Sequence, residues 1–362
     1  MTNKHYKIYR SQAEGFDKAL EELLSAIRQD YPQPVRVVFF GNPANNEAYI
    51  NERNTIESKS KECFNHKPML AYIAQAPLCS TLAAEVTAIE DLEVQDIIYH
   101  EDYILINNQE IISGGIYSDT ALTIDYQAEK IFARINEILS QESVEVCDIV
   151  RQWNYIERIT HMDEGGQHYQ LFNDARSHFY NSCKWENGYP AATGIGTQAG
   201  GVVVTFDAIR DSAEQTTPID NPLQISAHAY SQQVLINSTD RHKTTPKFER
   251  ARHIGGAKPM IHISGTAAIR GEESCDEGIV GQTALTMENI DHLTSVENQR
   301  ASGVENPSKM EYATLRVYIK HRHNLHDAEQ WMTVNYPNTP ALYLWADICR
   351  EELLIEIEGI AQ

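Results

Sequence analysis

The sequence has too little of several features that would define a protein class. No apolar run approaches the ~18 residues of a membrane-spanning helix, and the first twelve residues lack the apolar core of a signal peptide. The 30 Lys and Arg are outnumbered by 51 Asp and Glu, so the 362 residues carry a formal net charge of −21. Nucleic acids and anionic membranes bind clustered basic residues, so this negative net charge favours neither of them as a partner. We therefore expect a cytoplasmic protein without nucleic-acid or membrane partners.

Cysteine is also scarce, and its spacing carries no chemical signature. The chain has no C-x-x-C pair, which excludes the common zinc and redox motifs, and a disulfide framework is improbable in so long a chain. Each cysteine is therefore expected to be a small buried hydrophobe. A histidine group at His321, His323 and His326 lacks neighbouring cysteines or a carboxylate cluster, so no metal site is predicted. The six cysteines are Cys63, Cys79, Cys147, Cys183, Cys275 and Cys349.

Residues 1–145 show the pattern of an α/β domain. Apolar residues at three- and four-residue steps predict one helix through Leu20 and Ile27 and another through Ile131 and Ile138. The polar stretch 42–66 is interpreted as a loop or solvated face. Strands are predicted at 35–41, 68–75, 97–106 and 110–117.

Residues 146–362 predict a second domain with a mixed sheet. Helices are expected near 279–298 and 324–335, and residues 231–245 are expected to form an exposed loop. A sheet with its helices on one face is the expected arrangement. Strands are predicted at 201–209, 223–230, 259–265, 315–320, 341–349 and 353–360.

Four arginines lie in otherwise apolar segments: Arg176, Arg250, Arg316 and Arg350. Arginine is the side chain best suited to capture a carboxylate through two parallel hydrogen bonds. On an acidic protein this pattern fits either a pocket for a small anion or ordinary salt bridges with the abundant Asp and Glu. The sequence alone leaves both interpretations open.

The last strand carries a second candidate feature, the pair Glu356 and Glu358. Strand alternation places both carboxylates on one face, where a pocket would keep one of them protonated near neutral pH. The alternative is a solvent-facing strand edge. Cys349 lies across the preceding turn, so its side chain can converge with Glu356.

Several blocks in a fixed order carry a resemblance to a known family. Ile263-Ser-Gly-Thr-Ala-Ala-Ile, Leu315-Arg-Val-Tyr and Ile355-Glu-Ile-Glu-Gly-Ile-Ala resemble the RidA (YjgF) fold. A larger set resembles the chorismatase family, which is built on that fold. The match covers about 150–362, whereas residues 1–145 match only in size and coarse pattern. The larger set includes Trp153-Asn-Tyr-Ile, Phe172-Asn-Asp-Ala-Arg, Asn221-Pro-Leu-Gln-Ile-Ser-Ala, Phe248-Glu-Arg-Ala and Ala346-Asp-Ile-Cys-Arg.

The resemblance implies an enzyme that splits chorismate into pyruvate and a ring product, with no metal or organic cofactor. The family's catalytic acid falls on Glu356, which would protonate the methylene carbon of the enol ether. The dianionic substrate calls for arginines, and the four named above are the candidates. Tyr230, Ala267 and Ala268 are assigned to the ring pocket. The resemblance also implies a RidA-like catalytic domain over 146–362 and a monomer or small homo-oligomer.

The ring product depends on Cys349, because the aromatising branch of the family carries a cysteine at this position. Cys349 therefore favours 3-hydroxybenzoate, with 4-hydroxybenzoate and a dihydroxycyclohexadiene carboxylate as alternatives. The chain departs from the family pattern at Ala175 and at Gly271-Glu-Glu-Ser. Two other functions stay open: a RidA-type imine deaminase, which is about a third of this size, and a non-catalytic protein that binds small anions.

Overall fold

The computed structural model describes residues 2–92, 95–229 and 244–362. No helix in these ranges combines the length and the apolar character that a membrane crossing requires. The α-helices are α1 (Phe16–Asp30), α2 (Asn46–Cys63), α3 (Ile124–Gln141), α4 (His168–Tyr180), α5 (Ile279–Thr294), α6 (Val296–Ala301) and α7 (Leu325–Asn335). The strands are β1 (Lys4–Ser11), β2 (Arg36–Phe40), β3 (Met69–Ile73), β4 (Leu82–Ile89), β5 (Ile97–Tyr99), β6 (Tyr103–Ile106), β7 (Glu110–Ser113), β8 (Ile116–Tyr117), β9 (Ile149–Glu157), β10 (Met162–Asp163), β11 (Gly166–Gln167), β12 (Ala191–Thr197), β13 (Val202–Ile209), β14 (Thr216–Ile219), β15 (Ala251–Ile254), β16 (Met260–Ala267), β17 (Ile269–Arg270), β18 (Glu273–Ser274), β19 (Tyr312–Ile319), β20 (Ala341–Trp345) and β21 (Ile355–Ala361).

The first sheet has the order β1-β4-β2-β3 and packs against α1 and α2. The predicted apolar stripe of α1 is buried. The loop prediction for 42–66 is wrong over α2, whose first turn is capped by Asn45 Oδ1 accepting from Ala48 N at 2.9 Å. Only Tyr49, Ile56 and Ser60 of α2 are buried, so its apolar periodicity is too sparse to read from sequence.

The second sheet has the order β12-β9-β13-β7-β6-β5, with β8 also paired to β13. Helices α3 and α4 pack together over it, and the predicted helix through Ile131 and Ile138 is α3. This sheet takes strands from both sides of residue 145. The domain boundary placed there stays a prediction.

The third sheet has the order β14-β15-β16-β21-β19-β20 and is mixed, because only β19 and β20 run parallel. Apolar residues of α5 and α7 cover one of its faces. A mixed sheet with helices on one face is thus confirmed. The strand predicted at 223–230 is wrong for its described part: Asn221 Oδ1 accepts from Leu223 N at 3.0 Å, and this turn leads into a 3₁₀ helix at Ala227–Ala229.

Buried ion pairs join the three sheets where their inner faces meet. Each pair links strands of two different sheets, and the ring of Trp153 on β9 lies under arginines from all three. Because an unpaired buried charge costs several kcal/mol, these pairs tie the sheets together as a set. The three pairs are Arg36–Asp207, Arg316–Glu85 and Arg151–Glu358.

One pair of cysteines departs from the expectation of isolated buried thiols. Cys147 and Cys183 form a disulfide, with Cα atoms 6.0 Å apart. The bond joins the segment before β9 to the end of α4, which the 36-residue separation in sequence did not reveal. The other four cysteines are free.

Candidate active site

A pocket opens between the second and third sheets, beside the junction described above. Its cavity volume is about 50 Å³. Strands β12, β16 and β21, helix α4 and the loop between β20 and β21 each contribute to its wall. The polar and charged side chains in this wall are Tyr169, Arg250, Cys349, Arg350 and Glu356.

Glu356 occupies the floor of the pocket on β21. Its side chain lies against Gly265 of β16, where a Cβ would come within 2.1 Å of Glu356 Oε1, so a larger residue at 265 would displace this carboxyl group. The β16–β21 pairing shifts register between Ile263 and Thr266, which opens the ladder beside this carboxyl group. Burial, and then the carboxylate of Glu358, raise the pKa of Glu356 to about 8, although Arg250 acts in the opposite direction.

The loop between β20 and β21 supplies Cys349 and Arg350. Arg350 Nη1 donates to the backbone oxygen of Glu272 at 2.9 Å and to Ser274 Oγ at 3.1 Å. The guanidinium is therefore held by the block that departs from the family pattern. Burial, and then Glu356, raise the pKa of the Cys349 thiol to about 12, so this side chain is an uncharged part of the wall at neutral pH.

Arg250 contributes a second cation from the segment that precedes β15. Its Nη2 donates to the backbone oxygen of Ile225 at 2.7 Å, and its guanidinium carbon lies 5.5 Å from the centre of the Phe248 ring. Only 3% of Arg250 is exposed. The pocket thus combines a neutral carboxyl group with two fixed cations, which is an arrangement suited to protonating a bound anion.

Tyr169 and Gly194 are two of the wall residues that were missed as site residues in the sequence. Tyr169 of α4 lies over Gly194 of β12, where a Cβ would approach the Tyr169 ring within 2.9 Å. Gly194 belongs to a glycine-rich segment, which was a usable signal for close approach of the chain to another group. Burial raises the pKa of Tyr169, so its hydroxyl stays protonated.

The structure brings together some of the residues predicted for the site and separates others. Glu356, Cys349, Arg250, Arg350 and Ala267 line the pocket, whereas Ala268 is buried behind it. Arg176 is also outside the wall and donates to Asn173 Oδ1 at 2.5 Å. Arg316 pairs with Glu85 and Glu358 in the junction between the sheets. Tyr230 lies outside the described residues.

Metal chemistry has one candidate group among residues 2–92, 95–229 and 244–362. Glu145, Cys147 and Cys183 have ligand atoms within 4.8 Å of one another. Both sulfur atoms are joined in the disulfide, and neither cysteine lines the pocket of Glu356. The prediction that the site holds no metal stays a prediction.

Fold and pocket together define a mixed α/β protein with a pocket in which Arg250 and Arg350 lie near the buried carboxyl group of Glu356. The family model for the N-terminal part of FkbO/Hyg5-like chorismatases matches residues 93–208. This match begins well before residue 150, so the family likeness extends into the region expected to match only in size.

Individual relatives agree with this match. A 3-hydroxybenzoate synthase of Streptomyces hygroscopicus is 30% identical over 222 residues, or 59% of this chain and 63% of that protein. A chorismatase of the same organism is 31% identical over 218 residues, or 59% of this chain and 61% of that protein. The matched region thus spans less than two thirds of the length of these curated relatives.

One solved structure shares the overall fold. A chorismatase crystal structure superposes on 100% of this chain and 99% of its own length, with a TM-score of 0.76 and 18% identity. A YjgF/YER057c/UK114-family protein of Mycobacterium tuberculosis aligns with 32% of this chain and 85% of its own, at 19% identity and a TM-score of 0.24. The chain is similar over part of its length to chorismatases of the FkbO/Hyg5 type, and it shares the fold of the chorismatase crystal structure.

Proposed function

We propose that this chain is a chorismatase that cleaves the enolpyruvyl ether of chorismate, releasing pyruvate and a hydroxybenzoate, with 3-hydroxybenzoate the favoured product. The observation that carries the proposal is Glu356, a buried carboxyl group whose pKa is raised to about 8, in a pocket with Arg250 and Arg350. Kinship with proteins named chorismatase and 3-hydroxybenzoate synthase supports it.

Substrate capture is assigned to the two arginines of the pocket wall. Chorismate carries two carboxylates, and each can accept parallel hydrogen bonds from one guanidinium. Arg250 and Arg350 are held by backbone oxygens, so little side-chain freedom is lost when they bind. Arg176 and Arg316 lie outside the wall and are assigned indirect roles, Arg176 beside Tyr169 and Arg316 beside Glu358.

The chemical step begins with Glu356 as general acid. Its carboxyl proton moves to the methylene carbon of the enol ether, which leaves an oxocarbenium ion on the substrate and a carboxylate on Glu356. A ring hydroxyl or water adds to this cation, after which pyruvate leaves and Glu356 is reprotonated. A hydroxybenzoate and pyruvate together contain all the atoms of chorismate, whereas the dihydroxy product requires one added water.

Cys349 is proposed to select between these outcomes. Its thiol is neutral because its pKa is about 12, so it acts as a wall that excludes water and not as a nucleophile. We expect Cys349→Ala to shift the product from hydroxybenzoate toward the dihydroxy acid, as measured by chromatography. An unchanged product would rule out this role for Cys349 without affecting the assignment of the acid.

Incubation with chorismate tests the proposal, with pyruvate release and ring products followed in parallel. Wild-type protein should release pyruvate, and Glu356→Gln should lose nearly all turnover while remaining folded. Glu351→Gln is the matched control, because this carboxylate lies in the same loop as Cys349 but is 76% exposed. Absence of pyruvate above background from wild-type protein would refute the function and favour an imine deaminase or a binding protein.

A further inference from the structure

Beside the pocket lies a buried cluster of four charged residues. Arg316 donates from Nε to Glu85 Oε2 at 3.2 Å and from Nη1 to Glu358 Oε1 at 3.1 Å. Arg151 pairs with Glu358 from the opposite side. Every member is at most 6% exposed. Two positive and two negative charges therefore balance within the cluster.

Glu358 is fixed as a carboxylate by this cluster. Arg151 and the hydroxyl of Thr193 donate to one of its oxygens, and Arg316 and Tyr318 donate to the other. Burial alone would raise the pKa of Glu358, but the two arginines and these hydrogen bonds outweigh it and hold the pKa below the ordinary value. The charge on Glu358 therefore persists at neutral pH.

Glu356 is close to this cluster of four charged residues but is not one of its members. It is two residues before Glu358 on β21, which places both side chains on one face with Cα atoms about 7 Å apart. Thr193 connects the two sites, because its hydroxyl bonds Glu358 and also accepts from Gly265 N at 3.0 Å. None of the salt bridges between described residues includes Glu356, unlike Glu358.

Other titratable or charged groups approach Glu356 from each element packed around it. Arg250 favours its ionised form, whereas Glu358 opposes ionisation. Ionisation of Glu356 would thus place a second negative charge beside a carboxylate that cannot be protonated cheaply. The groups around Glu356 are Glu358 from β21, Tyr169 from α4, Arg250 from the segment before β15, and Cys349 and Arg350 from the β20–β21 loop.

We propose that Glu358 is a positioning residue whose carboxylate, held by Arg151 and Arg316, keeps Glu356 protonated and thereby makes it a general acid. This inference rests on the proposed function. The physical reason is that two buried carboxylates on one strand face cannot both be ionised at low cost. Arg151 and Arg316 stabilise the ionised form of Glu358. Glu356 is therefore the carboxyl group of the two that keeps its proton.

The first test compares pH profiles of pyruvate release. Glu358→Gln removes the opposing charge, so we expect the alkaline limb of kcat to move to lower pH by about 1 to 2 pH units. Glu358→Asp retains the charge and should retain the wild-type limb even where its unfolding midpoint falls. Glu85→Gln is the matched control, because it removes a carboxylate of the same cluster that does not act on Glu356. Equal limbs in wild type and Glu358→Gln, or an equal displacement in Glu85→Gln, would overturn the proposal.

A second test needs neither turnover nor a folded Glu358→Gln. Infrared difference spectra between wild type and Glu356→Gln report whether the Glu356 carboxyl group carries its proton. We expect the protonated band to be present at pH 6 to 7, and its absence there would overturn the proposal. If Glu358→Gln folds, the band should disappear at lower pH in that background. A band that titrates as expected in protein that releases no pyruvate would refute the proposed function and leave the charge relationship standing.

Discussion

The pKa of Glu356 makes a prediction about stability that is independent of any substrate. Glu356→Gln keeps the shape of the side chain but removes its titration. In folded protein the carboxyl group is protonated up to about pH 8, whereas its ordinary value is 4.5. Because the folded value is raised, the stability associated with this proton is complete below pH 4.5 and is lost as the pH rises through about 8.

The magnitude follows from the interval between the two values. The difference, 8 − 4.5, is about 3.5 pH units, and each corresponds to about 1.4 kcal/mol of unfolding free energy. Ionised Glu356 thus costs the folded state up to about 5 kcal/mol at and above pH 8. Glutamine carries no such cost, so the advantage of the variant over wild type should grow by about 1.4 kcal/mol per pH unit from pH 5 to pH 8.

Urea unfolding of both proteins at pH 5, 6, 7 and 8 measures this difference directly. Glu351→Gln serves as the control, because it makes the same change of side chain at an exposed carboxylate in the loop before β21. Parallel stability curves for wild type and Glu356→Gln would mean that Glu356 is already ionised when folded. That result would remove the physical basis for its role as an acid.

Three further predictions concern the pocket wall, the disulfide and the surface charge. Gly265→Ala should lower kcat at least about tenfold with the fold retained, because the new Cβ occupies the space of Glu356 Oε1; activity equal to wild type would contradict the close approach. Cys183→Ser should lower the unfolding free energy by about 4 kcal/mol, the value for a loop of this length, and unfolding of the variant should no longer respond to dithiothreitol. Added salt should raise kcat/KM for chorismate, because it screens the repulsion between a dianion and a chain of net charge −21; a decrease would show that the local arginines dominate the encounter.

Local patterns predicted the elements whose burial is regular. Helices α1 and α3 bury continuous apolar stripes, so their periodicity was visible in the sequence. Helix α2 is capped at Asn45 and buries only a narrow face. Its sequence therefore shows no apolar periodicity from which a helix could be predicted. Alternation at 223–230 suggested a strand, but the hydrogen bonds of Asn221 turn the chain away from that path.

At the candidate site, too, local relationships could be predicted from the sequence and long-range pairings could not. Strand alternation correctly placed Glu356 and Glu358 on one face, because that relationship is local. Strand alternation could not show which arginine pairs with which carboxylate. Arg316, for example, donates to Glu85, which lies 231 residues away in sequence. The order of sheets in space decides that pairing, and with it the difference between a pocket arginine and a structural one.

The balance of buried charge also bears on what happens when substrate binds. Arg250 is the cation that lowers the pKa of Glu356, and under the proposed function it is also a ligand of a substrate carboxylate. Binding would neutralise that cation, so Glu356 should hold its proton more firmly in the complex than in the free protein. The alkaline limb of kcat, which reports the complex, should then lie at higher pH than the limb of kcat/KM, which reports the free protein. Substrate binding would in this way raise the pKa of Glu356, the acid that protonates the substrate. Coincident alkaline limbs of kcat and kcat/KM would show that Arg250 does not bind the substrate carboxylate.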